Sequence, residues 1–277
     1  MEFYKKVFIN IFVFLMIYEI NLSFNIEIAN RYNFPKRIFT FWEPKGKIPG
    51  YLRLCIKTWK KFFPDYEIQI MDYKKLRHYL GETLFSDIIC KNMALSMQAD
   101  AIRVALLKKY GGIWMDTDMG FIFASNNSSI LNEWLNQVIE KVKYYKNIMF
   151  NQKNYSSLNN SLKEIKSFDY LGNKIIDPIL ENINNKKYLR VESDKINSFP
   201  ERKIITNSSI DNKQKYKLFY FQKGEPQIVI KKKTNVILLH NSWTPLIYKK
   251  MTEHEFLKQD ILLSKLFVKI LDIKLKS

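Results

Sequence analysis

The chain has 277 residues, 47% of them hydrophobic and 15% aromatic, enough for a sizeable core, which excludes a disordered chain. Against 27 acidic residues stand 45 basic ones, and the net charge of +18 favours anionic partners such as phosphorylated substrates or an anionic membrane face. Arginine is sparse and no compact basic–aromatic motif appears, so no nucleic-acid partner is expected.

Lys5 and Lys6 open an apolar run over 7–18 that Asn10 interrupts and Glu19 closes. It is shorter than the ~20 residues of a spanning helix. No clean small-x-small cleavage site follows, so residues 1–24 are expected to be an uncleaved membrane anchor or a membrane-associated helix lying in the interface, with a helix packed on the domain as the alternative. The run Arg37–Trp42 reads as the first core strand. Pro49 then opens a helix whose Leu52, Ile56, Trp59 and Phe63 recur at core-facing spacing, and Pro64-Asp65 ends it. Glu67–Met71 alternates as a second strand, and a short helix through Leu76–Leu80 stops at Gly81. A long helical region from Ser86 to Tyr110, broken near Asn92, places Asp100 and Arg103 three residues apart on one face.

Gly111 suits a left-handed helix end, and Gly112 lets the chain turn at once into the strand Ile113-Trp114-Met115. Asp116-Thr117-Asp118 follows, then Gly120. The strand and helix order predicts an α/β fold with a mixed, mostly parallel sheet flanked by helices. Residues 125–200 are rich in Asn, Ser and Lys around an apolar helix at 130–139 and read as the variable, acceptor-facing part. Strand-like runs return at 217–221, 228–230 and 236–239. His240-Asn241-Ser242-Trp243 comes directly after the last of them. From Glu253 to Lys276 an apolar face with lysines around it predicts a helix that lies on a surface or closes the core. No repeat or Gly/Ser linker divides the chain, so 33–250 reads as one catalytic domain and 251–277 as an amphipathic basic helix.

Two carboxylates one residue apart at a strand end supply hard oxygen ligands for a divalent cation that could hold a diphosphate. Alone, Asp-x-Asp is most often a solvated turn; the strand before it and the glycines around it give it weight. Asp100 and Arg103 read either as a local helix ion pair or as a pair that binds a polar substrate near the metal. His240, at the end of an apolar run, is a candidate third metal ligand, and the Trp243 indole a candidate phosphate donor. His78 and His254 fall on helix surfaces. Cys55 and Cys90 have no zinc-site spacing and read as free thiols on apolar helix faces.

These pieces together resemble the family 32 glycosyltransferases with an Asp-x-Asp motif, and among them the bacterial capsular polysaccharide synthesis proteins. The matching segments are 34–42, 55–61 with 64–67, 99–103, 106–118 and 240–243; Ala99 stands where that family usually has Ser. The resemblance implies a GT-A-like fold, a nucleotide-sugar donor, most simply a UDP-sugar, Mn2+ or Mg2+, and retention. It implies that Asp118 binds the metal directly and that Asp116 contacts the ribose, or the metal through water. His240 would complete the metal shell, Asp100 and Arg103 would hold sugar hydroxyls, Trp42 would stack on the base, and Ser242 or Trp243 would touch the diphosphate. No residue is assigned as a catalytic base. The acceptor would be a saccharide or a lipid-linked saccharide at an anionic membrane surface, on the inner face of a bacterial membrane. Asn-x-Ser patterns at Asn126, Asn154, Asn159 and Asn207 leave a Golgi-type anchored enzyme as the alternative. The competing functions are a divalent-metal phosphotransferase or nuclease, and a non-catalytic basic protein that binds membranes or nucleic acid.

Overall fold

The computed structural model describes residues 8–10, 35–44, 46–116, 121–126, 128–151, 165, 167, 169–182, 196–197, 210–228, 236–237 and 239–274. Strand β1 is Phe8–Asn10 and β2 is Arg37–Phe41. Helix α1 (Gly50–Phe62) carries the chain back to β3 (Glu67–Met71), which pairs parallel with β2 from Arg37↔Glu67 to Phe41↔Met71. Helix α2 (Tyr73–Leu80) begins on Asp72, whose side chain accepts from the Lys75 N–H at 2.7 Å, and it ends at Gly81. Helices α3 (Glu82–Ile88) and α4 (Leu95–Tyr110) follow, and the break between them includes Asn92. Gly111 and Gly112 have φ of 64° and 105°, the left-handed region that favours glycine. A Cβ on Gly112 would also lie 2.7 Å from the Arg37 carbonyl oxygen, so the tight entry into β4 (Gly112–Met115) needs glycine for two reasons.

Strand β4 pairs parallel with β2, and β5 (Phe121–Ala124) returns antiparallel to β4. On its other side β5 pairs antiparallel with β1, so the sheet order is β1-β5-β4-β2-β3. The sheet is therefore mixed: three parallel strands, β4-β2-β3, on one side and the antiparallel strands β5 and β1 on the other. It is less parallel than the sequence suggests because β5 turns back directly after the Asp116 region instead of crossing over through a helix.

Alternation along the strands separates two cores. Ile38, Ile113 and Met115 face α1 and the C-terminal helices, whereas Phe39, Phe41 and Trp114 face α2–α4, α5 (Ser129–Asn151) and α6 (Asn173–Glu181). The second core includes Trp134 and Val138 of α5 and Ile175 and Ile179 of α6.

The C-terminal third departs from the sequence reading in several places. Of the segment read as a strand over 217–221, residues 217–220 lie in α7 (Asn212–Tyr220) and Phe221 follows its end, because Asp211 caps that helix by accepting from the Gln214 N–H at 2.7 Å and Tyr216, Phe219 and Tyr220 all enter the first core. Pro226–Ile228 is one 3-10 turn, and 229–230 lie outside the described residues. Of the 236–239 run, β7 (Val236–Ile237) pairs parallel with β6 (Ile196–Asn197) in a separate two-stranded sheet. After α8 (Leu246–Lys250), the expected helix over 253–276 is two, α9 (Glu253–Leu257) and α10 (Leu262–Ile270). Phe256, Leu262, Leu263, Leu266, Phe267 and Ile270 are buried in the first core, so the apolar face closes the domain. A Cβ on Gly50 would lie 2.5 Å from the Thr252 backbone, which measures how closely α9 rests on α1. Cys55 is a buried free thiol on α1, while Cys90 is half-buried and follows α3 instead of lying on a helix. Asp177 lies in α6. Of the N-terminal apolar segment only the β1 strand is described, and among the described residues no helix is long and apolar enough to cross a membrane.

Candidate functional site

Strands β2 and β4 run parallel in register, Ile38↔Ile113 and Phe39↔Trp114, so Trp42 and Asp116 leave the sheet at the same, carboxyl edge. In open α/β sheets this edge is where ligands bind. Trp42 is held there by its backbone N–H, which donates to the Met71 carbonyl at 3.1 Å. Its indole N–H is buried and has no partner among the described residues. Asp118 belongs to the connection between Met115 and Phe121, which are paired across β4 and β5, and lies outside the described residues.

Three side chains named by the sequence meet here. Arg103 NH2 donates to Asp116 Oδ2 at 2.7 Å, and Arg103 NH1 lies 3.2 Å from Asp100 Oδ1. The helical i, i+3 spacing supplies the second contact, and the turn through Gly111-Gly112 brings Asp116 back to the same helix for the first. Asp116 Oδ1 also accepts from the Trp114 indole at 2.7 Å, so both its oxygens are engaged. The guanidinium lies 5.6 Å from the centre of the Trp114 ring. Burial works against the Arg103 charge, but Asp116 and Asp100 outweigh it and hold its pKa above the usual arginine value. Burial pushes Asp100 up to about 7; Arg103 opposes the shift, while Asp116 and Asp169 add to it. Burial also raises Asp116, against the pull of Arg103 and of the hydrogen bonds from Trp114 and Arg103. Arg103 Nε is buried with no partner among the described residues, a donor left over in a site lined by acceptors.

The second group is the 3-10 turn Asn241–Trp243 entered from His240. The His240 ring stacks on Trp243 with centroids 3.9 Å apart, and the Tyr216 ring of α7 packs edge-on against both. The Tyr216 hydroxyl accepts from the His240 backbone N–H at 3.0 Å, and the Tyr51 hydroxyl donates to Asn241 Oδ1. Tyr51 lies in the first turn of α1, the helix that leaves the carboxyl end of β2 to reach the start of parallel β3, so the hydrogen bond ties the turn to the carboxyl edge as well. Burial lowers the His240 pKa to about 4, which keeps the imidazole neutral and a lone-pair donor near pH 7. Ser242 is exposed and Trp243 half-buried.

A family model for capsular polysaccharide synthesis proteins matches residues 2–168, more than half of the chain. The chain belongs to that family. Membership suggests a role in polysaccharide biosynthesis and a glycosyltransferase-type enzyme. No curated protein and no solved structure matches it.

Asp116 offers a carboxylate and His240 a neutral imidazole, the kinds of group that a hard or borderline divalent cation takes. With Asp118 outside the described residues, no group of three His, Cys, Asp or Glu side chains gathered for a metal occurs among those described. Sequence reasoning missed Tyr51 and Tyr216, whose only signal was apolar spacing within helices, and Asp169, which acts on Asp100 from the turn before α6.

Proposed function

We propose that the chain is a metal-dependent glycosyltransferase of GT-A type, related to family 32, that moves a hexose from a nucleotide sugar, most simply a UDP-sugar, to a saccharide or lipid-linked saccharide with retention. Its place of work on this reading is the inner face of a bacterial membrane. The observation that carries the proposal is the Asp100–Arg103–Asp116 cluster at the carboxyl edge of the sheet, in a chain that belongs to a capsule synthesis family.

Transfer from a nucleotide sugar needs negative charge on the departing diphosphate to be taken up. A divalent cation, Mn2+ or Mg2+, supplies Lewis acidity for that when bound. Asp118 and His240 are the proposed direct ligands, with Asp116 acting through water; its two oxygens already accept from Arg103 and Trp114, which agrees with an outer role. Asp100 and Arg103 hold sugar hydroxyls, and the spare Arg103 Nε–H is a ready donor for one. Trp42 stacks on the base, and Ser242 and the Trp243 indole face the diphosphate.

The test is a thermal-shift screen of nucleoside diphosphates and UDP-hexoses with and without Mn2+. A metal-dependent rise in melting temperature is expected, along with slow metal-dependent hydrolysis of one UDP-hexose. Asp118→Asn should remove both while the protein stays folded. No metal-dependent shift with any nucleotide would overturn the proposal.

A further inference from the structure

The carboxylate of Asp100 is walled in by backbone. A Cβ on Gly172 would lie 2.6 Å from Asp100 Oδ2, 3.1 Å from its Cγ and 3.3 Å from Oδ1, so a main-chain segment rests directly on the acid group. Real Cβ atoms essentially never come that close, and Asp100 is a short, largely covered side chain already held against Arg103 at 3.2 Å. The wall itself is fixed. Gly172 caps the start of α6, and its carbonyl accepts from the Ile175 and Ile176 N–H groups at 3.0 and 3.1 Å. Its own N–H donates to the Asp169 carbonyl at 3.1 Å. One residue earlier, the Leu171 carbonyl accepts from the buried Trp134 indole of α5 at 2.9 Å, and Tyr170 and Leu171 are both buried. The 169–172 turn itself lies beyond the 2–168 segment that the family model matches, whereas Asp100 and Trp134 lie within it.

We propose that the 169–172 turn, locked by Trp134 and free of a side chain at Gly172, is the positioning element that aims Asp100 at the hydroxyls of the donor sugar. The inference rests on the transferase reading above and adds to it the part of the chain that sets sugar recognition. Gly172 is a positioning residue that acts through Asp100. Replacing it with alanine forces the carboxylate away from the place where Arg103 and the wall hold it. The nucleotide end of the donor, handled by other residues, is untouched.

The test compares two ligands on the full chain with Mn2+: a UDP-hexose that binds the wild type, and UDP alone. Gly172→Ala should weaken the UDP-hexose at least about tenfold, since ångström-scale misplacement of a binding group costs one to two powers of ten. UDP affinity should stay within about twofold, because the sugar-free ligand does not use Asp100. Trp134→Phe, which keeps the bulk and loses the hydrogen bond to Leu171, should give the same pattern at about threefold, and it decides the matter if the glycine variant does not fold. Equal weakening of both ligands would show a merely structural role and overturn the inference, as would unchanged binding of both. If the wild type binds UDP but no UDP-hexose, the transferase proposal falls first, and this inference falls with it.

Discussion

The two halves of the candidate site are held by opposite physics. Asp100, Arg103 and Asp116 come from a regular helix and strand and are fixed by charge in a dry setting. The His240–Trp243 turn is fixed by aromatic contacts and two tyrosine hydroxyls, without an ion pair between its described members. The first half grows from the α2–α6 side of the sheet and the second from the α1 and C-terminal side, and both reach the carboxyl edge. A charge-locked group resists displacement strongly but collapses if one member goes; an aromatic group yields in small steps.

Removing the shared cation should therefore have the largest effect. Arg103→Met leaves Asp100 and Asp116 buried without their counter-charge, so a loss of about 3–5 kcal/mol in urea denaturation is expected. A loss below about 1 kcal/mol would mean the carboxylates need no partner, and the contrast with the aromatic half would disappear.

Next comes the pH dependence of the same cluster. Folded Asp100 titrates near 7, whereas the unfolded chain takes it back to about 3.8. Between these values the folded state binds the extra proton, so this group costs stability progressively as pH rises from about 4 to 7, and the full cost is present above 7. Asp100→Asn removes that slope. Relative to wild type the variant should gain on the order of 2 kcal/mol between pH 4 and pH 8, read from denaturation midpoints across that range. A flat difference would show that Asp100 is not a strained anion.

On the aromatic side the steps are smaller. Tyr51→Phe and Tyr216→Phe each remove one hydrogen bond to the His240–Trp243 turn and should cost about 1 kcal/mol. The two losses should add, since the hydroxyls hold different residues; strong non-additivity in the double variant would make the turn a cooperative network like the charged half. The smallest effect serves as a reference outside both groups: Thr252→Ala, which deletes the capping box of α9, should cost about 0.5–1 kcal/mol of stability and leave nucleotide affinity unchanged.

Much of the charged half was legible from sequence because its signals are local. Arg37–Trp42 carries strand propensity, Gly111-Gly112 marks the reversal, and Asp100 with Arg103 shows the helical spacing that the ion pair uses. The aromatic half was legible only as a motif. Its supports come from α1 and α7, and Tyr51 is 190 residues from Asn241 along the chain, a contact no local pattern announces. Within 217–221 the aromatics suggested a strand, yet Asp211 followed by Gln214 was a helix-start signal, and Tyr216, Phe219 and Tyr220 keep the three-to-four spacing of a buried helical face. Gly172 was invisible for another reason: what matters there is the space a missing side chain leaves for Asp100, and sequence does not display space.

The outermost strand bears on how the protein is handled at the bench. Asn10 sits opposite Phe121 and Phe8 opposite Phe123, so the chain's beginning covers the outer rim of β5. Trimming the first dozen residues to discard an apolar start would bare the main-chain N–H and C=O groups of that rim, an open template for another copy to pair with. Clumping after such trimming would then report a lost neighbour strand rather than a lost lipid contact.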